Sequence, residues 1–384
     1  MLACQRALFS IPDSVHYINC AYMAPLMRSV EAAGIAGVKR KSQPWEIVGE
    51  DFYAPGEELR ALAGRLVNAP ADAVCMTPAV SYGAAIVANA VPLRRGQNVV
   101  VPAEEFPSVV YIWRERCRAA GAEVRTVARP LDSARPGTRW TERMAEAIDR
   151  DTAAVALTAF HWTDGTRFGL EAIGARAREV GAAFIVDGTQ SVGAVPFDFA
   201  ALRPDALLCA GYKWLLGPYS LGITVLGERF LDAAPIEHNW IARKNSEDFA
   251  NLVNYRDDYQ PGARRFDVGE RSNFALIPML SESLRRLLAW GPQAVSEYCA
   301  GLGESLARQL EGTPYLIAPA EQRGPHLFGI RAPELALLPR IQEELQRRKL
   351  FVSLRGTAIR VSPHVYNTEA DLAALAEALR AALD

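Results

Sequence analysis

Two residues of this chain are best placed to do chemistry: an acid and a lysine, each at the end of a short apolar run. Phe184-Ile185-Val186 ends in Asp187, and the chain turns at Gly188 before Thr189 and Gln190. A second run ends at Ala210 and leads through Gly211 and Tyr212 to Lys213 and Trp214. Short apolar runs read as buried strands, and open parallel sheets bind ligands beyond the carboxyl ends of their strands. Asp187 alone could be an ordinary cap for the next helix. Lys213 in an apolar, aromatic setting is harder to dismiss, because burial disfavours its charge. The same burial lowers its pKa and makes it an amine nucleophile toward carbonyl groups. An acid that keeps a pyridine nitrogen protonated, followed by a lysine that forms a Schiff base, is what pyridoxal phosphate requires of a protein.

The elements around these residues alternate. The sequence predicts strands at Asn98 to Pro102, Glu123 to Ala128, Ala153 to Phe160, Ala182 to Asp187, Ala206 to Ala210 and Gly222 to Leu226. Helix-like stretches lie between them at Tyr82 to Val91, Ser108 to Ala120, Thr141 to Asp149 and Leu170 to Val180. The fold class is therefore α/β with a mostly parallel sheet. Residues 228–274 lose this periodicity and are polar and aromatic, which marks a functional or interface-forming stretch. Two long helices follow, Ala275 to Trp290 and Gln293 to Leu310, punctuated by Gly291-Pro292. Residues 315–384 read strand, strand, helix, strand, strand, helix, an α+β unit. The expected division is a large domain over 16–270 and a small domain made of 1–15 and 271–384.

Composition narrows the class. Of 384 residues, 42 are Lys or Arg and 44 are Asp or Glu, a net charge of -2. Nucleic acid and anionic membrane surfaces are thus not expected partners. Half the chain is hydrophobic and 22% is charged, as in a globular protein rather than a disordered one. The six cysteines form no CxxC pair, and the five histidines are far apart, so neither a disulfide framework nor a zinc site is expected. Gln5 and Arg6 interrupt the first apolar stretch, which is too short for a signal peptide, and no run is long enough to span a membrane. These features point to a soluble cytoplasmic enzyme.

Three motifs in order make a more specific likeness: Asp187-Gly188-Thr189-Gln190; Gly211-Tyr212-Lys213-Trp214 with the LLGPYSLG after it; and Arg360-Val361-Ser362-Pro363-His364-Val365-Tyr366-Asn367-Thr368. Together they resemble the class V aminotransferase family of fold-type I pyridoxal-phosphate enzymes, which includes cysteine desulfurases, selenocysteine lyases, kynureninases and isopenicillin N epimerase. The likeness runs from Tyr17-Ile18-Asn19-Cys20-Ala21-Tyr22 to the last helix. It implies a seven-stranded type of large-domain sheet, pyridoxal 5'-phosphate as cofactor and a homodimer.

The resemblance also implies roles. Lys213 matches the Schiff-base lysine, which then serves as acid and base at the substrate α-carbon. Asp187 matches the partner of the pyridinium nitrogen, and Gln190 the side chain that hydrogen-bonds the cofactor 3'-hydroxyl. Phe106 falls where the family stacks an aromatic ring on the pyridine. For the phosphate, the loop Thr77 to Gly83 enters a helix with free first-turn amides, offering Ala79, Val80 and Ser81, with Tyr212 as a further donor. Arg271 and Ser272 align with a segment that reaches the neighbouring subunit's phosphate. Arg360, closing a strand predicted at Thr357 to Val361, matches the arginine that grips the substrate α-carboxylate. Tyr22 and Trp162 complete the expected substrate-binding set.

Two departures from the family pattern shape the expected reaction. Desulfurases carry a mobile loop with a nucleophilic cysteine before the final arginine, whereas residues 353–359 here are short and contain none. His161-Trp162-Thr163-Asp164-Gly165-Thr166 replaces the usual Asn-x-x-Gly, and Trp162 cannot accept a hydrogen bond. Trp162 is expected to pack on the ring or shape the substrate pocket. The expected activity is transamination or C–S β-elimination on an α-amino acid, without an enzyme persulfide. An epimerase of the isopenicillin N type, or a catalytically silent member acting as an interaction partner, are the alternatives. A Rossmann dehydrogenase is disfavoured because no G-x-G-x-x-G follows a strand.

Overall fold

The computed structural model describes residues 2–130 and 134–383. The chain opens with His16–Tyr17 (β1), Arg28–Arg40 (α1) and Ala54–Val67 (α2). The strand–helix alternation then runs Val74–Thr77 (β2), Val80–Ala90 (α3), Asn98–Pro102 (β3), Pro107–Ala120 (α4), Glu123–Val127 (β4), Pro136–Ala147 (α5) and Thr152–Thr158 (β5). It continues Leu170–Val180 (α6), Ala183–Asp187 (β6), Phe199–Leu202 (α7), Ala206–Ala210 (β7), Gly222–Leu226 (β8) and Glu228–Leu231 (α8). Beyond the irregular stretch lie Leu276–Trp290 (α9), Pro292–Gln309 (α10), Leu316–Ile317 (β9), Phe328–Arg331 (β10) and Leu338–Arg347 (α11). Leu350–Phe351 (β11), Ser353–Arg355 (β12), Ala358–Val361 (β13) and Glu369–Ala381 (α12) end the chain.

Among the described residues seven strands form one sheet in the order β2-β8-β7-β6-β5-β3-β4. The pairs from β7 to β4 are parallel, and β8 runs antiparallel to both its neighbours. Strands β3, β5, β6 and β7 are buried along their whole length, which is why they are continuous apolar runs rather than alternating ones. Proline at the first turn starts α4, and Gly121 and Gly181, both at positive φ, stop α4 and α6. The chain leaves β3 outward to β4 and then crosses back to β5, so the strand order reverses at the β3/β5 boundary. A crevice at the carboxyl ends of the strands is expected there.

The small unit is a four-stranded antiparallel sheet, β12-β13-β10-β9. Phe328, Ile359 and Val361 of this sheet share a core with Leu306 of α10 and Leu372 and Leu375 of α12. Two boundaries differ from the sequence reading. Strand β1 pairs in parallel with β11, Ile18 lies in the small-unit core and Asn19 bridges Ser362, so the break expected at 16 falls after residue 19. Helix α9, read with the small unit, packs on α1 and α2, with Leu280 and Leu284 in the same core as Leu59 and Ala63. Among the described residues no helix is long and apolar enough to cross a membrane.

Candidate active site

The crevice is a cavity of about 310 Å³ at the ends of β3, β5, β6 and β7. Asp187 ends β6 and Lys213 follows β7; they are 5% and 6% exposed. Asp187 Oδ1 accepts the Thr189 N–H at 2.9 Å, and Thr189 Oγ1 accepts the Ala210 N–H at 3.1 Å, which ties the two strand ends together. Burial pushes the Asp187 carboxyl up, against the pull of Thr189 and Lys213. Burial also brings the Lys213 amine down to about 8, although Asp187 attracts its charge. Lys213 Nζ lies 5.4 Å from the centre of the Phe106 ring and 5.6 Å from that of Tyr212. Gly211 is needed for this turn, since a Cβ there would stand 2.2 Å from the Leu221 carbonyl oxygen.

Gln190 also lines the cavity, with its amide pinned at both ends. Its Oε1 accepts the Trp214 Nε1–H at 2.8 Å, and its Nε2 donates to the Ala21 carbonyl at 3.2 Å. His326, from the small unit, stands 2.6 Å from the Gln190 carbonyl through its Nε2.

At the opposite end the cavity meets the start of α3. Ala79 precedes the helix in extended backbone and provides no side-chain cap. The first-turn amides of Val80 and Ser81 thus keep their hydrogens free, as helix N-termini that bind anions do. Tyr212 and Tyr219, with ring centres 4.6 Å apart, also line the cavity.

A second chamber of about 350 Å³ adjoins the first and shares Phe106, Trp162, Tyr212, Lys213 and Tyr219 with it. Tyr22 stands at its mouth, 55% exposed. Arg360 is buried in its wall, donating to the Trp162 carbonyl at 2.8 Å and to Ser353 Oγ at 3.4 Å. Trp162 packs edge-on to Phe106 at 5.5 Å and donates Nε1–H to the Glu104 carbonyl at 2.6 Å.

Arg271 and Ser272 line neither chamber of their own chain. Arg271 is buried beside Asp267 at 3.1 Å and Glu57 at 3.7 Å, and none of its three guanidinium nitrogens has a well-aligned hydrogen bond among the described residues. Ser272 donates its hydroxyl to the Phe52 carbonyl at 2.6 Å, so its hydrogen is already engaged within the chain.

The sequence reading missed Glu105, Arg355 and Tyr219, which line the chambers, and the buried Cys20 behind Lys213. Glu105 is buried beside Phe106, its two oxygens accepting the Phe106 N–H at 2.7 Å and the Thr158 N–H at 3.0 Å. Burial, and then the charge of Asp187, raise its carboxyl to about 8. The signal available in the sequence was an acid directly before Phe106, masked by the second acid Glu104 beside it. Arg355 lines the second chamber. Cys20 is distant from Lys213 in sequence, yet its thiol lies 3.9 Å from the Lys213 carbonyl. It is fully buried, burial pushes its pKa up, and it lines neither chamber.

These residues fit pyridoxal phosphate. Uncapped amides offer an anion site at one end of the first chamber, and a buried carboxyl lies within it. A buried lysine of lowered pKa has room before it. Fold and site define a pyridoxal-phosphate enzyme of the fold-type I architecture. Residues 43–335 match the family described as aminotransferase class-V, and the chain belongs to that family. An uncharacterized aminotransferase of Bacillus subtilis, YcbU, is 24% identical over 80% of this chain and 78% of its own. A cysteine desulfurase of an Enterobacter species is 26% identical over 71% of this chain and 66% of its own. In fold, the cystine C-S lyase C-DES, solved with its reaction product cysteine persulfide, superposes with a TM-score of 0.85 at 19% identity, covering 96% of this chain and 97% of that one. A cysteine desulfurase of Thermococcus onnurineus gives 0.83 at 17% identity, covering 98% and 97%.

Proposed function

We propose that the enzyme acts on an α-amino acid, by transamination or by β-elimination at a C–S bond, and makes no persulfide on its own cysteines. The convergence of Lys213, Asp187 and Arg360 on two connected chambers carries this reading. When bound, pyridoxal phosphate supplies an electron sink for charge developing at the substrate α-carbon. Asp187, a buried carboxyl, would pair with a protonated ring nitrogen and so favour the acidic form of that sink. Lys213, with its amine near 8, moves the proton at the α-carbon, because both of its protonation states are populated near neutral pH. Arg360 presents a planar fork to the α-carboxylate and fixes which substituent faces Lys213. Phe106 and Trp162 wall the space between and exclude water.

The exclusion of an enzyme persulfide rests on the thiols. No cysteine lines either chamber, and Cys20, whose thiol lies against the Lys213 carbonyl, is sealed and disfavoured as a thiolate. A homodimer is part of the same reading. Trp45, Val253 and Tyr255, near in sequence to the Phe52–Trp240–Phe249 aromatic cluster, are 77%, 78% and 95% exposed. A second copy of this surface, bringing Arg271 toward the other protomer's phosphate end, would cover it.

The test is an absorbance spectrum of the purified enzyme followed by titration with a panel of amino acids. The spectrum should show a band near the violet edge of the visible, and at least one α-amino acid should shift it. Silence toward every amino acid would remove the reading. Sedimentation of a stable, cofactor-loaded monomer at micromolar concentration would remove the dimer.

A further inference from the structure

The second chamber holds one more cation than an α-carboxylate requires. Strands β12 and β13 form a hairpin in which Ser353 faces Arg360 and Arg355 faces Ala358. Arg355 is two residues from Ser353, so it projects on the same face as Arg360 and is its diagonal neighbour. Such diagonal pairs stand about 7–8 Å apart on the backbone. Arg355 and Arg360 both line the chamber, and no acidic residue does among the described residues. Their protein partners are neutral: Arg360 donates to the Trp162 carbonyl and Ser353 Oγ, with Nε unpartnered. Arg355 donates to the Leu354 carbonyl at 2.8 Å and lies 5.8 Å from the centre of the Trp162 ring. Arg355 disfavours the charge on Arg360 and on Lys213. A guanidinium keeps its proton regardless, so the repulsion is not relieved by titration. Two unneutralised cations on one wall of a part-dry chamber are costly until anions arrive.

We propose that Arg355 and Arg360 form a paired-anion subsite, and that the substrate is an α-amino acid whose side chain ends in a second carboxylate or a comparable anion. This rests on the amino-acid reading above: Arg360 takes the α-carboxylate and Arg355 the distal group. Tyr22, Trp162 and Tyr219 supply apolar walls for the short chain that joins them. Arg355 is half-buried, which lets it swing to meet side chains of different length. The paired arginines thus act as a specificity device, selecting dianions over neutral side chains.

Calorimetry of the cofactor-loaded enzyme with succinate, glutarate and butyrate tests the subsite without turnover. The dicarboxylates should bind about tenfold or more tightly than butyrate, the range expected for one charge-assisted contact. The preference should shrink with added salt. Arg355→Ala should collapse the dicarboxylate-to-butyrate ratio toward one, and Arg355→Lys should retain part of it. A wild type that does not discriminate would overturn the proposal, as would an Arg355→Ala enzyme that keeps the full ratio. A spectral titration with aspartate, glutamate and cystine against alanine separates this from the broader reading. Dicarboxylate preference with no spectral response to any amino acid would support the paired-anion site and remove only the amino-acid assignment.

Discussion

Trp214 and Gln190 are joined side chain to side chain, with the indole Nε1–H donating to the amide Oε1 at 2.8 Å. Indole nitrogen is only a donor, and the Ala21 carbonyl on the other side of the amide is only an acceptor. The two neighbours therefore agree on the amide's orientation. Its oxygen is committed to the protein, and one Nε2 hydrogen remains. Toward a group in the cavity Gln190 keeps an Nε2–H to donate, the polarity needed for a cofactor hydroxyl that carries negative charge.

Trp214→Phe should loosen that orientation while preserving the ring. It strands a buried amide oxygen, a loss of about 1–3 kcal/mol. Stability should fall by that order, and cofactor affinity should weaken roughly tenfold as the amide is freed to rotate. Gln190→Glu can accept from Trp214 but repels the Ala21 carbonyl and cannot donate. Its cofactor absorption band should shift relative to wild type. Equilibrium dialysis and the visible spectrum measure both effects. Unchanged affinity and band position in both variants would reject the role given to Gln190.

Lys213 should be the site of cofactor attachment. Borohydride reduction of the wild type should fix the cofactor to the peptide containing Lys213, and Lys213→Ala should show no such adduct by mass spectrometry. Labelling of another lysine in the variant would reject the assignment. The neutral amine is the nucleophile, and burial brings its pKa down to about 8. The rate at which cofactor-free enzyme recombines with pyridoxal phosphate should thus rise through pH 8. An unperturbed lysine would place that rise near 10.5, the ordinary value.

Acid should destabilise the fold earlier than its carboxylates require. His326 and His364 are fully buried, and burial holds them down at about 4 and about 3. Between those values and the ordinary 6.5, the unfolded chain binds protons that the folded chain refuses. Stability contributed by the neutral rings is full above 6.5 and is lost as the pH falls through this window. Each histidine contributes a slope of about 1.4 kcal/mol per pH unit. Urea unfolding at pH 7, 6 and 5 should show a steep decline that His364→Gln makes shallower.

The sheet was legible because burial on both faces writes continuous apolar runs. Six of its strands lie within one or two residues of the sequence reading, and helix α6 matches at both ends. Strand β2 was not, because Val74–Thr77 is four residues long and bounded by Pro70 and Pro78. Helices α1 and α2 were also unread. Gly34 and Gly37 in α1, and Gly56 and Gly64 in α2, dilute a helical pattern, and all but Gly64 sit where another element approaches closely. At the site, Asp187 and Lys213 stood out by type and by their place after apolar strands, and Gln190 through the family resemblance. Glu105 and Arg355 reach the site through loop path or strand register, which one-dimensional spacing does not carry. The turn at Gly356 that puts Arg355 and Arg360 on one face was present in the sequence as a glycine between two short apolar runs.

Incubation with L-cysteine should leave the enzyme's thiols unmodified. The residues between β12 and β13 make a tight turn without cysteine, and the buried thiols have no access to either chamber. Sulfur can leave only by elimination. Intact-mass analysis should show no stoichiometric gain of one sulfur, and such a gain mapping to a single cysteine would overturn the claim.

Arg360→Lys is the sharpest test of substrate recognition. Arg360 lies within β13, one residue before its end, and is held by the Trp162 carbonyl and Ser353 Oγ, so its fork is oriented before a substrate arrives. Lysine keeps the charge but presents a point donor on a flexible stem, and it cannot hold both protein contacts while gripping a carboxylate in parallel. A charge-assisted contact of this kind is worth about 1.5–3 kcal/mol. The specificity constant should fall roughly 10- to 150-fold. Cofactor loading and the resting absorption band should persist, because Arg360 lines the second chamber and not the first. Loss of the cofactor band would assign Arg360 to the cofactor site instead. Wild-type turnover by the variant, or a wild type that prefers a simple amine without a carboxylate, would remove it from substrate recognition.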